Sequence, residues 1–177
     1  MKKLVLILVT FGAGYIQSMD IKYGVSYFDQ NHDIDVLDFG PSNVAFTAST
    51  PISEKFSAEI GIALSLSDGS ISVGGDSVKI DSEGYFLRGY YHITETFFVN
   101  AIWSYFELDI EVLAGNSLTS GKASDTELGF GIGMSFSIPN LDGLFSIGYE
   151  DLGTSLSEFT SAGVKSDADQ FYLKYQF

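Results

Sequence analysis

The chain of 177 residues contains no cysteine, which removes disulfides, thiolate catalysis and cysteine-held metal in one step. Basic residues are scarce as well: 9 Lys and Arg stand against 23 Asp and Glu, for a formal charge of −14. A basic footprint for nucleic acid is therefore absent. An acidic surface favours divalent cations or basic partners, although it names no ligand. Proline occurs 3 times, whereas there are 19 Gly, 15 Phe and 10 Tyr. Glycine with aromatics is the composition of a closed, curved sheet, because aromatics suit pleated surfaces and glycine relieves crowding at bends. After the N-terminus no run of 18 apolar residues appears. A chain of this kind residing in a membrane crosses it with strands, not helices.

The first residues read as a secretory leader. Met1-Lys2-Lys3 is a positive start, Leu4 to Phe11 a short apolar run, and Gly12, Ala13, Gly14 and Ser18 supply small residues for cleavage after Gly14 or Ser18. The expected division is a signal peptide over 1–18 and one domain over 19–177. Loss of Lys2 and Lys3 would leave 7 basic against 23 acidic residues, a balance of −16.

From residue 20 onward alternation with period two dominates. Phe56, Ala58, Ile60, Ile62, Leu64 and Leu66 alternate with Ser57, Glu59, Gly61, Ala63 and Ser65. Leu128, Phe130, Ile132, Met134 and Phe136 alternate with Gly129, Gly131, Gly133 and Ser135. Eight such segments occur, each near the 9–11 residues a tilted strand needs to cross a bilayer. Leu37 and Phe39 are out of phase with Val44 and Phe46, which predicts a bulge or loop at Gly40-Pro41. Ile102 falls on the small-polar face of its strand. Three connections are short, at 51–55, 92–96 and 139–143. Four are longer and rich in Asp, Ser and Gly, at about 28–42, 67–83, 107–125 and 151–168. Short turns at one end and long loops at the other is the outer-membrane pattern. A weak repeat, Ile52-Ser-Glu-Lys-Phe56 and Ile93-Thr-Glu-Thr-Phe97, opens two ascending strands.

The face that is apolar decides between two barrels. A soluble barrel points bulky residues inward, and a membrane barrel points them at lipid. An interior enclosed by eight strands is narrow enough to be filled by side chains, and the Gly-Ser-Ala face suits it. The reading is an all-β protein, an eight-stranded antiparallel up-and-down transmembrane β-barrel. Aromatics near strand ends, among them Tyr23, Tyr27, Phe56, Tyr85, Tyr91, Phe97, Tyr105, Phe136, Tyr149 and Tyr175, fit two interfacial girdles.

On this phase Lys22, Glu59, Arg88, Glu127, Glu150 and Lys174 point inward. Lys22, Glu59, Arg88 and Lys174 fall in the short-turn half, and Glu127 and Glu150 near the opposite mouth. Charges in a narrow lumen must be paired or hydrated. A Glu59–Arg88 contact is expected across the third and fourth strands, with Lys22 beside Lys174 where the first and eighth close. The cluster reads as a structural plug, with a proton or ion path as the sharper alternative.

The last strand, Gln170 to Phe177, places Phe171, Leu173, Tyr175 and Phe177 at alternate positions with Phe last. In this the chain over 20–177 resembles the OmpA-like and OmpX-like outer-membrane β-barrel family. The resemblance implies a Gram-negative outer membrane, a terminal strand read by the barrel-assembly machinery, and periplasmic chaperones on the way. Outer-membrane lipids and lipopolysaccharide are the implied surroundings, and a monomer is expected. Full-length OmpA-type proteins carry a peptidoglycan-binding domain after the barrel. None is expected here, so a cell-wall tether is not supported.

Some barrels of this size modify lipid A with His and Ser or acidic partners near the outer rim. His92 falls in a short turn at the wrong end. His32, in Asn31-His-Asp33, is at the right end, but no His-x-Ser pair lies on a strand, so no catalytic residue is expected. The Asp-rich loops (Asp29, Asp33, Asp35, Asp38; Asp68, Asp76, Asp81; Asp167, Asp169) lack EF-hand spacing. They read as a hydrated acidic rim, with neither metal nor cofactor assigned. The leading function is a non-enzymatic barrel supporting envelope integrity or surface contact. The alternatives are a narrow channel for small solutes or ions, then a lipid A-modifying enzyme.

Overall fold

The computed structural model describes residues 20–34, 37–67, 69–73, 75–153 and 166–177. Ten strand segments make up the wall: β1 (Lys22–Ile34), β2 (Leu37–Phe39), β3 (Ser42–Pro51), β4 (Phe56–Ser67), β5 (Gly69–Val73), β6 (Asp76–His92), β7 (Phe97–Ala114), β8 (Ser117–Phe136), β9 (Leu144–Gly153) and β10 (Ser166–Gln176). They form eight staves. β2 continues β3 along β1, and β5 continues β4 along β6. Every neighbouring pair is antiparallel, and β10 pairs with β1 to close the barrel. Tyr23 and Phe177 exchange two backbone hydrogen bonds at that seam, 3.3 and 2.8 Å.

Period-two alternation becomes an inside and an outside. Phe46, Ile62, Leu87, Leu128, Phe130 and Ile132 stand exposed on the outer wall. A continuous apolar belt of this size is foreign to a soluble monomer and suits a bilayer. Aromatic rings edge the belt. At the short-turn rim Phe136, Phe145, Tyr175 and Phe177 follow one another at 4.8–5.9 Å between centroids. Towards the other rim Tyr85 lies 5.1 Å from Tyr105 and 5.9 Å from Trp103.

The interior is less uniformly small than the alternation suggests. Phe28, Phe86, Tyr90, Phe98 and Tyr172 are buried in it with Ile102. Glycines directly opposite on neighbouring staves make room for these rings. A Cβ on Gly61 would stand 2.2 Å from the Phe86 ring, and one on Gly148 would stand 2.6 Å from Tyr172. The glycine-rich face is thus a set of recesses for aromatics, whose rings fill the middle of the lumen.

The repeated Ile-Ser/Thr-Glu-x-Phe motif has a structural cause. In both turns the isoleucine amide donates to the phenylalanine carbonyl, Ile52 to Phe56 at 2.8 Å and Ile93 to Phe97 at 2.9 Å. In both, the hydroxyl two residues into the turn accepts the phenylalanine amide. Ser53 does so at 3.2 Å and Thr94 at 2.9 Å. Side-chain acceptors of this kind hold tight turns.

Three expected loops are largely strands instead: over 28–42 β1 runs on to Ile34 and pairs with β2, and two others behave likewise. The segments read as loops at 67–83 and 107–125 continue the sheet, so β6, β7 and β8 reach 17, 18 and 20 residues. They end in tight turns at Gly75 (φ 98°) and Gly115 (φ 60°), left-handed positions that glycine takes without strain. Their polar composition reflects solvent on both faces at their outer ends, while the ladder satisfies the backbone. At Gly40-Pro41, where a bulge or loop is expected, the strand is interrupted between β2 and β3, but no bulge enters the β1 ladder. Asp29↔Ser42 and His32↔Phe39 keep one register across it, and the shift lies instead between Ser42 and Asn43 against β4.

A buried charge network across the lumen

Arg88 lies at the centre of the barrel with 0 % exposure. It is an inward position in the membrane half of β6, flanked on the same face by Phe86 and Tyr90. Its guanidinium donates from Nε and Nη2 to the two oxygens of Glu150 at 2.6 and 2.8 Å, a bidentate fork. Nη1 donates to Glu59 Oε1 at 2.7 Å. Glu59 also accepts from Tyr90 OH at 2.9 Å and, through Oε2, from Lys174 Nζ at 2.8 Å. Two cations therefore meet two carboxylates, and the group is neutral. Aromatic faces enclose it: the Arg88 guanidinium carbon is 4.6 Å from the Tyr172 centroid and 4.7 Å from Phe86, and Lys174 Nζ is 4.6 Å from Tyr90.

A polar chain carries the network across the lumen. Asn100 and Gln170 donate to Glu150. Gln30 donates to Gln170, and Asn43 donates to Gln30, each at 3.0 Å. Asn43 and Ser82 exchange hydrogen bonds at 3.0 and 3.2 Å. Together these side chains come from β1, β3, β4, β6, β7, β9 and β10, so one connected set bridges most of the circumference. Such a set is costly when half satisfied and rigid when complete. Within it Arg88 uses both its charge and its planar fork, which a lysine would not reproduce.

The register explains which expected partners meet. Glu59 pairs with Arg88 across β4 and β6, so their contact is between direct neighbours. Glu150 lies on β9 opposite Gly131, and it reaches Arg88 across the lumen instead of standing at a mouth. Lys22 does not lie beside Lys174. Lys174 faces Ser26, and Lys22 is at the rim, exposed and apart from the network. Glu127 is buried opposite Ser104 on β7. Phe171 and Leu173 are exposed on the outer face of β10, and Phe177 is exposed at the seam. Gln30, Asn43, Tyr90, Asn100 and Gln170 were not singled out from the sequence. Their inward phase was visible, but neutral side chains gave no signal that they were partners.

His92, read as a turn residue, is the last residue of β6, and its Nε2 lies 3.0 Å from Ser57 Oγ on the neighbouring stave. The two are 35 positions apart, so only the register brings them together. The side chains of His32, Asp33, Asp35, Asp38, Asp68 and Asp167 lie outside the described residues. Asp76 accepts the Gly115 amide at 2.8 Å and Asp81 accepts from Ser65 at 3.0 Å, so both serve the hairpins.

Solved structures with the same architecture are outer-membrane barrels. The structure of Ail, the attachment invasion locus protein of Yersinia pestis, in complex with the heparin analogue sucrose octasulfate superposes with a TM-score of 0.59. It shares 13 % identity over 90 % of this chain and 99 % of that one. Ail without that ligand gives 0.57 and 13 % over 89 % and 97 %. What they share with this chain is the fold, a closed antiparallel eight-stranded barrel. Neisserial surface protein A is also similar, at 0.49 and 12 % identity over 88 % and 95 %. No family model matches the sequence, and no curated protein matches it. At these identities the likeness concerns the fold and not the side chains of the lumen.

Proposed function

We propose that this protein is a non-enzymatic barrel of the Gram-negative outer membrane, sealed across its lumen, that steadies the envelope and offers acidic hairpins for surface contact. The observation that carries this reading is the neutral Arg88–Glu59–Glu150–Lys174 network at the barrel centre. It occupies the position a solute path would need and leaves the ends of the long strands as the accessible surface. The short-turn rim then faces the periplasm and the long hairpins face outward. The terminal strand, with Phe177 at the seam, serves as the signal for assembly.

The hairpin surface supports a preference in partner charge. Beyond Tyr85 and Tyr105, register places Glu83 opposite Glu107 and Asp81 opposite Asp109. Like charges opposed in a ladder repel. A Lys122–Asp109 ion pair at 2.7 Å offsets this in part, but both side chains are exposed and such pairs contribute little. A cationic partner relieves the repulsion, whereas a polysulfated ligand such as the one bound to Ail adds to it. The test is binding of fluorescent polylysine and of a heparin-like polyanion to cells displaying the protein. Salt-sensitive polylysine binding, lost in Glu83→Gln/Glu107→Gln/Asp81→Asn, is expected. Preferential polyanion binding would overturn the surface-contact reading.

A further inference from the structure

At the short-turn mouth, below the charge network, lies a cavity of about 150 Å³. Its wall is unlike the rest of the molecule. Lys22, Lys174 and His92 line it with the hydroxyls of Ser57, Ser135 and Ser146, and no carboxylate does. In a chain with 23 acidic residues against 9 Lys and Arg, this makes the cavity wall itself basic, with Asp20, Glu54, Glu95 and Asp142 of the same rim outside its lining. Glu59 matches the charge of Lys174. Lys22 has no carboxylate partner among the described residues, so its ammonium adds uncompensated charge at the rim.

The hydroxyls also have hydrogens to give. Ser135 Oγ and Ser146 Oγ are 2.9 Å apart, and one O–H suffices for that bond, which leaves the other free to donate. Ser57 Oγ and His92 Nε2 are 3.0 Å apart. If the serine donates, Nδ1–H remains free; if Nε2–H donates, the serine O–H remains free. Either tautomer leaves one donor. A cavity of this volume holds several waters at about 30 Å³ each, or one compact anion with four oxygens. Charge-assisted donation to an oxyanion is stronger than donation to water.

We propose that this vestibule binds a small tetrahedral oxyanion of the size of inorganic phosphate, with Lys22 supplying charge and the third N–H of Lys174, the Ser57–His92 pair and the Ser135–Ser146 pair supplying donors. The site lies inside the barrel wall, away from the lipid-facing belt, so the free ion and not a lipid headgroup is its occupant. It is independent of the surface-contact reading, since it uses neither the hairpins nor a partner.

The experiment is a titration of the refolded full chain in non-ionic detergent micelles, followed by amide NMR, with inorganic phosphate against chloride at matched ionic strength. Saturable shifts at Ser57, His92 and Ser135 with phosphate, absent with chloride, are expected. Lys22→Gln/His92→Gln should weaken phosphate binding at least about tenfold, because each lost charged or donating group removes a charge-assisted bond. Both side chains lie outside the charge network, and retained heat-modifiable migration of the variant on a gel shows that its barrel is intact. Equal responses to chloride and phosphate, or unchanged phosphate saturation in an intact double variant, would overturn the proposal.

Discussion

Arg88 touches both carboxylates of the network and four aromatic faces, with its guanidinium wholly removed from solvent. Truncating it leaves Glu59 and Glu150 buried with Lys174 as the remaining cation. Removing one partner from a buried ion pair typically costs about 3–5 kcal/mol, because the other charge is stranded. Arg88→Ala is expected to lose that much in urea unfolding from lipid vesicles, and a loss under about 1 kcal/mol would mean the network is slack. Gly61 makes a second prediction at this scale. Gly61→Val drives a side chain into the Phe86 ring and should destabilise by roughly 1–3 kcal/mol as overpacking does. Adding Phe86→Ala should recover part of the loss, since the collision is then relieved. How much of the lumen was legible divides along the same line. The inward phase of Glu59, Arg88, Glu150 and Lys174 follows from alternation alone, and the Glu59–Arg88 neighbourhood from strand order. The height of Glu150 does not, because it depends on the stagger accumulated around the barrel between residues 62 positions apart.

At the scale of the strand, the long hairpins and the short turns rest on different physics. Ser53 and Thr94 each accept a phenylalanine amide that would otherwise lack a partner in a four-residue turn. Ser53→Ala and Thr94→Ala should each cost about 0.5–1.5 kcal/mol, the usual worth of one hydrogen bond, and the double variant should be near their sum because the sites are on separate turns. The outer ends of β7 and β8 pair residue by residue from Asp109↔Lys122 to Ala114↔Ser117, beyond the enclosed lumen, and none of these residues is buried. Excising 110–121 and rejoining Asp109 to Lys122 through a two-residue Asn-Gly turn is therefore expected to leave a heat-modifiable barrel. Loss of the barrel in that variant would show the hairpin to be part of its folding unit. These extensions were misread as loops because Asp, Ser and Gly punctuate them. In a sheet wetted on both faces those residues signal solvent, not irregular backbone, and Val78, Ile80, Ile110 and Val112 kept the strand period all along.

For the whole molecule, sealing and location come from one inversion, with bulk outside and recessed rings and ions inside. The outer belt can be stable only against hydrocarbon, and the lumen only if its charges cancel. Both requirements were visible in the parity of the strands, and both are met by side chains whose partners lie on distant staves. The central claim is that the network closes the barrel, and single-channel recording of the refolded protein in planar bilayers tests it most directly. The wild-type chain is expected to give no steady discrete conductance at moderate voltage, whereas Arg88→Ala, with the centre of the plug removed, should give flickering events. Stable, uniform channels from the wild-type protein, unchanged in Arg88→Ala, would contradict the account.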